Sequence, residues 1–228
     1  MPDDFSFSYG PGDSIGVCVP NPDESVKAVM ARIDDTDCGA KDPSVHLDDG
    51  ECLSLSAFLR TRASITSALR RRELVSLSSS CSDPREAACL RYLGSKEGSD
   101  SYDAFVVANS VSLVDLLNLF PSLRPTPDAL KSSFVGVPPR FYSVTSTPLQ
   151  DASKVTISFS VVDYSTPLTG LRKRGLATTT LENLSKQFLE PDPRFARMPP
   201  SMRPKQAAPQ VKIFPYPSKV SRVFVTKE

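Results

Sequence analysis

The chain has 228 residues, of which 39% are hydrophobic, enough for one large domain or two small ones with a buried core. Its 27 Lys and Arg residues nearly balance 26 Asp and Glu residues, for a net charge of +1. This balance argues against a nucleic-acid-binding protein that neutralises phosphates over a broad basic face. No apolar stretch is long enough to span a bilayer, and the first residues do not fit a secretory leader. We therefore expect a soluble cytoplasmic protein that binds neither membranes nor nucleic acid.

The cysteines and the histidine argue against a disulfide framework or a metal site. The five cysteines are odd in number and contain no C-x-x-C pair. His46 is the only histidine, which leaves few routes to a His-assisted nucleophile or a multi-histidine metal centre. We expect reduced thiols and no metal.

The first fifty residues combine a turn, a strand and a short helix. Gly10-Pro11-Gly12-Asp13 is typical of a turn, and apolar residues alternate behind it from 15 to 19 as in a half-buried strand. These glycines precede the strand instead of linking a strand to a helix, so they do not form a dinucleotide fingerprint. Apolar spacing over residues 26–33 predicts a short helix, and a polar loop is expected to follow as far as Gly50.

From residue 52 to about residue 134 the apolar periodicity is helical. Residues 83–94 open with an Asp-Pro pair, typical of a helix cap and first turn, and close on a glycine. Residues 102–120 are predicted to form one further helix, which a proline ends. The whole block is predicted to be a helical insertion.

After this block the strand pattern returns, most clearly in residues 155–161, where apolar and polar residues alternate. Residues 175–189 have helical spacing, and Thr179 to Glu182 fits a capping box. The proline-rich stretch from residue 190 to 217 favours an extended, weakly ordered connection, and residues 220–225 are a candidate last strand.

Arg140-Phe141-Tyr142-Ser143 has the residue types of a ligand-binding strand. Side chains alternate along a strand, so Arg140 and Tyr142 are expected on one side and Ser143 on the other. The arginine offers a forked, permanently charged donor for a phosphate, and the tyrosine a flat face and a hydroxyl. That pairing suits a ligand that is half anion and half ring, such as a flavin dinucleotide. The same string is also typical of an ordinary strand with a surface arginine.

A second candidate segment is Gly175-Leu176-Ala177-Thr178, at the start of the predicted helix. Gly175 permits close backbone approach, and the amides of a first helical turn can point at a pyrophosphate. The basic residues 172–174 add positive potential immediately before it. A glycine at this position is also compatible with a simple turn.

With these elements in this order, the chain resembles the FAD-binding and connecting region of the diflavin reductases, which follow the ferredoxin-NADP reductase pattern. The resemblance rests on four segments, namely residues 9–13, 120–125, 140–143 and 175–178. Residues 12–26 are more similar to the methionine synthase reductase subfamily than to the microsomal cytochrome reductases. Thr180 departs from the family pattern, which usually has an aromatic residue there.

The resemblance implies an α+β fold, with a six-stranded antiparallel FAD-binding β-barrel and an inserted all-helical connecting domain. Residues 1–51 are then the first part of the barrel and 52–134 the connecting domain. Residues 135–190 are the remainder of the barrel with the pyrophosphate helix, and 191–228 a linker toward an NADP-binding domain.

The resemblance also implies the cofactor residues. Arg140 is expected at the pyrophosphate, Tyr142 at the flavin ring or ribityl chain, Ser143 near the flavin edge and Tyr164 near the cofactor. The expected FAD-binding set is Arg140, Phe141, Tyr142, Ser143, Tyr164, Gly175, Leu176, Ala177 and Thr178.

The implied function is electron relay from NADPH through FAD to FMN, and on to an acceptor such as the cobalamin of methionine synthase. No segment resembles a flavodoxin-like FMN domain or an NADP-binding domain, so these are expected as partners in cis or in trans, and the chain alone is expected to be inactive with NADPH. The alternative is a non-catalytic interaction protein that keeps the reductase fold. Its partner-facing patch would be the arginine cluster, Arg60, Arg62, Arg70, Arg71 and Arg72, which is otherwise a solvated helix face.

Overall fold

The structure is a computed structural model that describes residues 9–10, 13–33, 42–47, 50–134, 136–150, 155–168 and 170–189. For residues 187–189, 212–215 and 221–222 it describes the backbone only. No helix among the described residues is both long and apolar enough to cross a membrane.

The described elements are short strands and helices. In chain order they are β1 (Ser14–Cys18), α1 (Asp23–Met30), β2 (Ser44–His46), β3 (Cys52–Ser54), α2 (Leu55–Thr61), α3 (Arg71–Ser78), α4 (Pro84–Gly94), α5 (Ser99–Tyr102), a π-helical turn (Asp103–Val107), α6 (Leu113–Leu119), α7 (Pro127–Phe134), β4 (Arg140–Ser143), β5 (Asp163–Ser165), β6 (Arg172–Arg174), α8 (Leu176–Leu189), β7 (Lys212–Pro215) and β8 (Ser221–Arg222).

The chain divides into two compact units. The sheet unit consists of Met1–Val19, Pro138–Tyr164 and Lys173–Glu228. The helical unit consists of Pro20–Val137 and Ser165–Arg172.

The sheet unit is built on a four-stranded antiparallel sheet in the order β4-β1-β7-β8. Ile15 lies opposite Tyr142 and Val17 opposite Arg140. One face of the sheet is covered by α8 because β1 and α8 bury their apolar residues together. The buried core of this unit is Tyr9, Ile15, Val17, Val19, Val144, Ala177 and Leu181.

Residues 155–161 do not form the regular strand that their alternation predicts. They make an isolated bridge between Ile157 and Val144, and the Thr145 N–H donates to the Thr156 carbonyl at 2.8 Å. Val155, Ile157 and Phe159 still pack against the core of the sheet unit, while the intervening residues are exposed. The alternation therefore predicts the side that packs on the core for Val155, Ile157 and Phe159, but not for Val161, which is 39% exposed.

The helical unit packs α1 to α7 and the β2–β3 hairpin around a larger apolar core. Polar caps begin several helices, as at α4, where the Asp83 carboxylate accepts from the Arg85 N–H at 2.7 Å and Pro84 occupies the first turn as predicted. The residues predicted as a polar loop up to Gly50 instead include β2, which pairs with β3. Fully buried large side chains of this core include Phe58, Leu74, Leu90, Leu113, Leu116 and Phe134.

Residues 102–120 do not form one helix. A π-helical turn follows α5, Ser110 has a φ of 47°, and Ser112 then caps α6 through a capping box with Asp115. The Asn109 amide group donates to the Ala104 and Phe105 carbonyls at 2.9 and 3.1 Å, which ends the first helical run. The apolar residues on both sides of this break keep helical spacing, so the pattern alone did not reveal it.

The described strands form the four-stranded sheet and two two-stranded sheets, β2-β3 and β5-β6. The mixture of helix and sheet agrees with the predicted α+β class. A closed six-stranded barrel and an inserted connecting domain stay predictions. The same holds for the four domain ranges, 1–51, 52–134, 135–190 and 191–228. Much of 191–228 lies outside the described residues, although β7 within it pairs with β1.

The core of the helical unit can be tested with two leucines of α6. Leu116 is fully buried, whereas Leu119 is 47% exposed. Leu116→Ala is expected to lower the free energy of unfolding by about 2–5 kcal/mol because it leaves a cavity. Leu119→Ala makes the same chemical change on the same helix and should cost far less. Urea unfolding of both variants measures the difference, and equal losses would contradict this assignment of the core.

Candidate cofactor site

Arg140 and Tyr142 lie on the α8 side of the sheet. Directly opposite residues of antiparallel strands share a face, and these two lie opposite Val17 and Ile15, whose side chains are in the core beneath α8. Arg140 is exposed and Tyr142 is half-buried. The sequence prediction that both side chains share one side is therefore matched by the register.

Phe141 and Ser143 lie on the other face of β4, opposite Gly16 and Ser14. Both are exposed, Phe141 by 53%. A role for them at a ligand on the α8 side is therefore a role for backbone groups and not for side chains.

The surroundings of Tyr142 combine an apolar wall and a positive charge. Its ring meets Phe159 edge-on, with centroids 6.0 Å apart and planes at 66°. Burial raises the pKa of the Tyr142 phenol, and the positive charge of Arg140 acts in the opposite direction. The phenol is thus neutral and held beside a guanidinium.

The start of α8 is fastened to the preceding extended segment through Val162. The Gly175 N–H donates to the Val162 carbonyl at 2.8 Å, and the Val162 N–H donates to the Thr178 hydroxyl at 3.2 Å. That hydroxyl in turn donates to the Gly175 carbonyl at 3.2 Å. Because both the donor and an acceptor position of the Thr178 hydroxyl are used within the protein, its fit to a phosphate is poorer than that of a backbone amide.

Gly175 is required by the close approach of its own chain. A Cβ atom built there would lie 2.8 Å from the Val162 Cβ and 2.8 Å from the Thr178 Oγ1. The sequence predicts that this glycine permits close approach of a ligand. In the structure it permits close approach of Val162.

The helix begins at Leu176, three residues before the predicted capping box, because the Thr179 N–H already donates to the Gly175 carbonyl at 2.9 Å. First-turn amides have no intrahelical acceptor, so those of Leu176, Ala177 and Thr178 are the donors that helix geometry directs beyond the start of α8. The capping-box interpretation of Thr179 is therefore wrong.

Glu182 binds two basic side chains instead of a cap. It accepts from Lys186 at 2.7 Å and forms an ion pair with Arg174. A hydrogen bond from Lys186 is the main cause that lowers the pKa of Glu182. Arg174 also lies 3.7 Å from Asp163, so its charge is largely compensated within the unit. The positive potential predicted from residues 172–174 is correspondingly smaller.

Tyr164 lies in β5 and is 41% exposed. Val162 was not predicted as a site residue. The sequence feature that points to Val162 is its position, immediately after the alternating segment 155–161 and two residues before Tyr164.

The arginine cluster is mostly engaged inside the helical unit. Arg71, for example, stacks over the Tyr102 ring at 4.8 Å and donates to the Ser99 hydroxyl at 2.5 Å. Ion pairs hold three others, namely Arg60 with Asp23, Arg62 with Glu51, and Arg70 with Glu73.

Comparison with known proteins identifies the cofactor family. The family model described as FAD binding domain matches residues 3–180. This chain belongs to the FAD-binding domain family. Methionine synthase reductase of Mus musculus is 30% identical over 202 residues, which are 82% of this chain and 29% of that protein. Nitric oxide synthase of Bombyx mori is 30% identical over 206 residues, 82% of this chain and 17% of that protein.

Methionine synthase reductase of Caenorhabditis elegans is 30% identical over 222 residues, 89% of this chain and 32% of that protein. The chain thus spans about a third or less of the curated relatives it matches. Its similarity is to the diflavin reductase family, as the sequence resemblance predicted, and FAD is its cofactor.

The residues present fit FAD. A guanidinium and a half-buried phenol lie on the side of the sheet that α8 covers, and the first turn of α8 supplies amides. The Thr179 hydroxyl is buried at this end of α8 without a hydrogen-bond partner among the described residues. Such an arrangement suits a ligand that is polar at one end and aromatic at the other.

Replacing Gly175 tests the junction with Val162. Gly175→Ala is expected to lower the free energy of unfolding by about 1–3 kcal/mol, since the added methyl group overpacks the site. Gly10→Ala is the matched control, because a Cβ there would meet nothing closer than Asp13 at 3.9 Å. Urea unfolding followed by circular dichroism compares the two. A Gly175→Ala protein as stable as the control would contradict the close approach.

The proximity of Arg140 to Tyr142 is testable without any ligand. Arg140→Ala should raise the pKa of the Tyr142 phenol further, because it removes the charge that stabilises the phenolate. Tyrosinate absorbance is titrated in the protein and in its Tyr142→Phe variant, and the difference isolates Tyr142. Arg91→Ala, at an exposed arginine on α4, serves as control. An unchanged Tyr142 titration in Arg140→Ala would show that the two side chains are not neighbours.

Proposed function

We propose that this chain is the FAD-binding module of an NADPH-dependent diflavin reductase. In this proposal it relays electrons from NADPH through FAD to FMN, and then to an acceptor such as the cobalamin of methionine synthase. The observation that carries it is the placement of Arg140 and Tyr142 on the face of the sheet that α8 covers. The similarity to methionine synthase reductase and nitric oxide synthase supports the reductase class. The name of the first relative also supports methionine synthase as the acceptor protein.

FAD supplies the chemistry when bound, because it accepts a hydride and passes on single electrons. Arg140 would hold the pyrophosphate with its forked donors, assisted by the amides of Leu176, Ala177 and Thr178. Tyr142 would place its ring against the flavin, with its neutral hydroxyl toward the ribityl chain. Tyr164 is proposed to contact the cofactor with its exposed ring.

The remaining members of the predicted set would act through the backbone. Ser143 and Phe141 direct their side chains to the other face of β4, so their contribution is an amide or a carbonyl group. Gly175 would shape the turn by letting Val162 approach, and the Thr178 hydroxyl would hold that turn together. The pyrophosphate site is thus proposed to be mainly backbone plus one guanidinium.

The partners proposed are a flavodoxin-like FMN domain and an NADP-binding domain, in cis or in trans, and methionine synthase as the acceptor protein. The location proposed is cytoplasmic. Hydride transfer requires a nicotinamide held against the flavin, and we assign that task to the NADP-binding domain. The chain alone should therefore bind FAD without efficient reduction by NADPH. The alternative of a non-catalytic interaction protein has less support, since four of the five clustered arginines already have partners within the helical unit.

The proposal is tested by loading the protein with FAD, removing unbound cofactor and recording the visible spectrum. A yellow protein that dithionite reduces rapidly and NADPH reduces slowly is expected. Arg140→Ala should weaken FAD binding by roughly ten- to a hundred-fold, the loss of about 1.5–3 kcal/mol from a charge-assisted hydrogen bond. Titration of FAD fluorescence measures this affinity.

Arg91→Ala removes the same side chain from α4 and should bind FAD as the unmodified protein does. A colourless protein would overturn the flavoprotein proposal itself. Equal affinity in the Arg140→Ala and Arg91→Ala proteins would overturn only the role of Arg140.

A further inference from the structure

A cysteine and the only histidine of the chain face each other across the β2–β3 hairpin. The register places His46 opposite Cys52 and Val45 opposite Leu53. Val45 is buried in the core of the helical unit and Leu53 packs against that core. Because side chains alternate along a strand, His46 and Cys52 share the opposite, solvent-facing side, and both are exposed.

These two residues occupy the kind of ladder position at which cross-strand side chains come closest. The Leu47 N–H donates to the Glu51 carbonyl at 2.8 Å, which makes Leu47 and Glu51 a hydrogen-bonded pair. Hydrogen-bonded and non-hydrogen-bonded pairs alternate in an antiparallel ladder, so His46 and Cys52 form a non-hydrogen-bonded pair, with Cα atoms about 4.5 Å apart. An imidazole and a thiol anchored at this spacing come within reach of each other by rotation about their side-chain bonds.

Two acidic side chains near the hairpin, among the residues that the structure describes, have partners of their own. The Glu51 carboxylate forms an ion pair with Arg62. Asp42 accepts from the Ser56 N–H at 2.9 Å and from its hydroxyl at 2.6 Å. Among the described residues, the His46 imidazole is therefore the basic group placed to take a proton from the Cys52 thiol.

We propose that Cys52 is a site of reversible thiol modification and that His46 is its proton acceptor. With a small disulfide such as oxidised glutathione, the Cys52 thiol passes its proton to the imidazole, and the thiolate attacks one sulfur of the disulfide. A new sulfur–sulfur bond forms to Cys52 as the original one breaks. Cys52 is oxidised, the departing sulfur is reduced, and the leaving thiolate takes the proton back from His46. The products are one mixed disulfide and one thiol.

Cys89 is the internal reference thiol for the reaction rate of Cys52. It is also exposed, but it lies on α4 and has no histidine beside it, since the chain contains only His46. Its neighbour one helical turn earlier is Arg85, whose positive charge favours a thiolate. A faster reaction at Cys52 than at Cys89 therefore cannot be assigned to exposure or to a nearby cation alone.

The test uses the whole reduced chain, exposed to oxidised glutathione for increasing times, quenched by alkylation and mapped by peptide mass spectrometry. Each thiol is then followed separately. Cys52 is expected to form its mixed disulfide roughly ten-fold faster than Cys89, less than a fully positioned catalytic base provides because the pair is exposed to water. In the His46→Gln protein the Cys52 rate should fall to about the Cys89 rate, while the Cys89 rate stays unchanged.

His46→Gln lies on the solvent face, so circular dichroism and the unchanged Cys89 rate together verify that the fold is kept. Adding imidazole to the His46→Gln protein should restore part of the Cys52 rate but not alter that of Cys89. Equal rates at the two cysteines in the unmodified protein would overturn the proposal, as would a Cys52 rate that is insensitive to His46→Gln.

Discussion

The junction between Val162 and the start of α8 is the constraint on which the cofactor site depends. Both backbone polar groups of Val162 are bonded at this turn, its carbonyl to the Gly175 N–H and its N–H to the Thr178 hydroxyl. These two hydrogen bonds tie the extended segment to the first turn of the helix, so Val162 fixes where α8 begins. Only glycine at 175 lets the two segments approach this closely. The direction of the first-turn amides, and with it the proposed pyrophosphate site, follows from that contact.

The positions of the Arg140 and Tyr142 side chains depend on the sheet and not on the junction at Val162. β4 pairs with β1, and β1 buries Ile15 and Val17 under α8, so the residues opposite them, Tyr142 and Arg140, necessarily share that face. A one-residue slip of this register would exchange them for Phe141 and Ser143 and leave no guanidinium on the α8 side. The apolar core thus determines which polar side chains face the ligand.

Local residue patterns predicted which face of a strand packs on the core, because such patterns reflect the burial of one face. Alternation in residues 155–161 identified the side that packs on the core, and the pattern of β4 identified the shared face of Arg140 and Tyr142. Contacts distant in sequence were not predictable in the same way. Thr179 to Glu182 fits a capping box by residue type, but the helix starts earlier because Val162, well upstream, holds Gly175 and Thr178. Likewise the break near Asn109 depends on side-chain bonds to released carbonyls, which apolar spacing does not record.

The arginine cluster shows why charge counted along a sequence is a weak guide to a docking surface. Arg70 lies beside Glu73, whose side chain is almost fully buried and accepts from the Arg70 N–H at 2.7 Å and from its Nε at 2.6 Å. A buried carboxylate is strongly destabilising without such partners, so this arginine is needed by the fold itself. The exposed pairs of Arg60 and Arg62 contribute little to stability, but they neutralise the charge that an acidic partner would otherwise meet. The net positive charge of the cluster at the surface is thus smaller than the number of its arginines indicates.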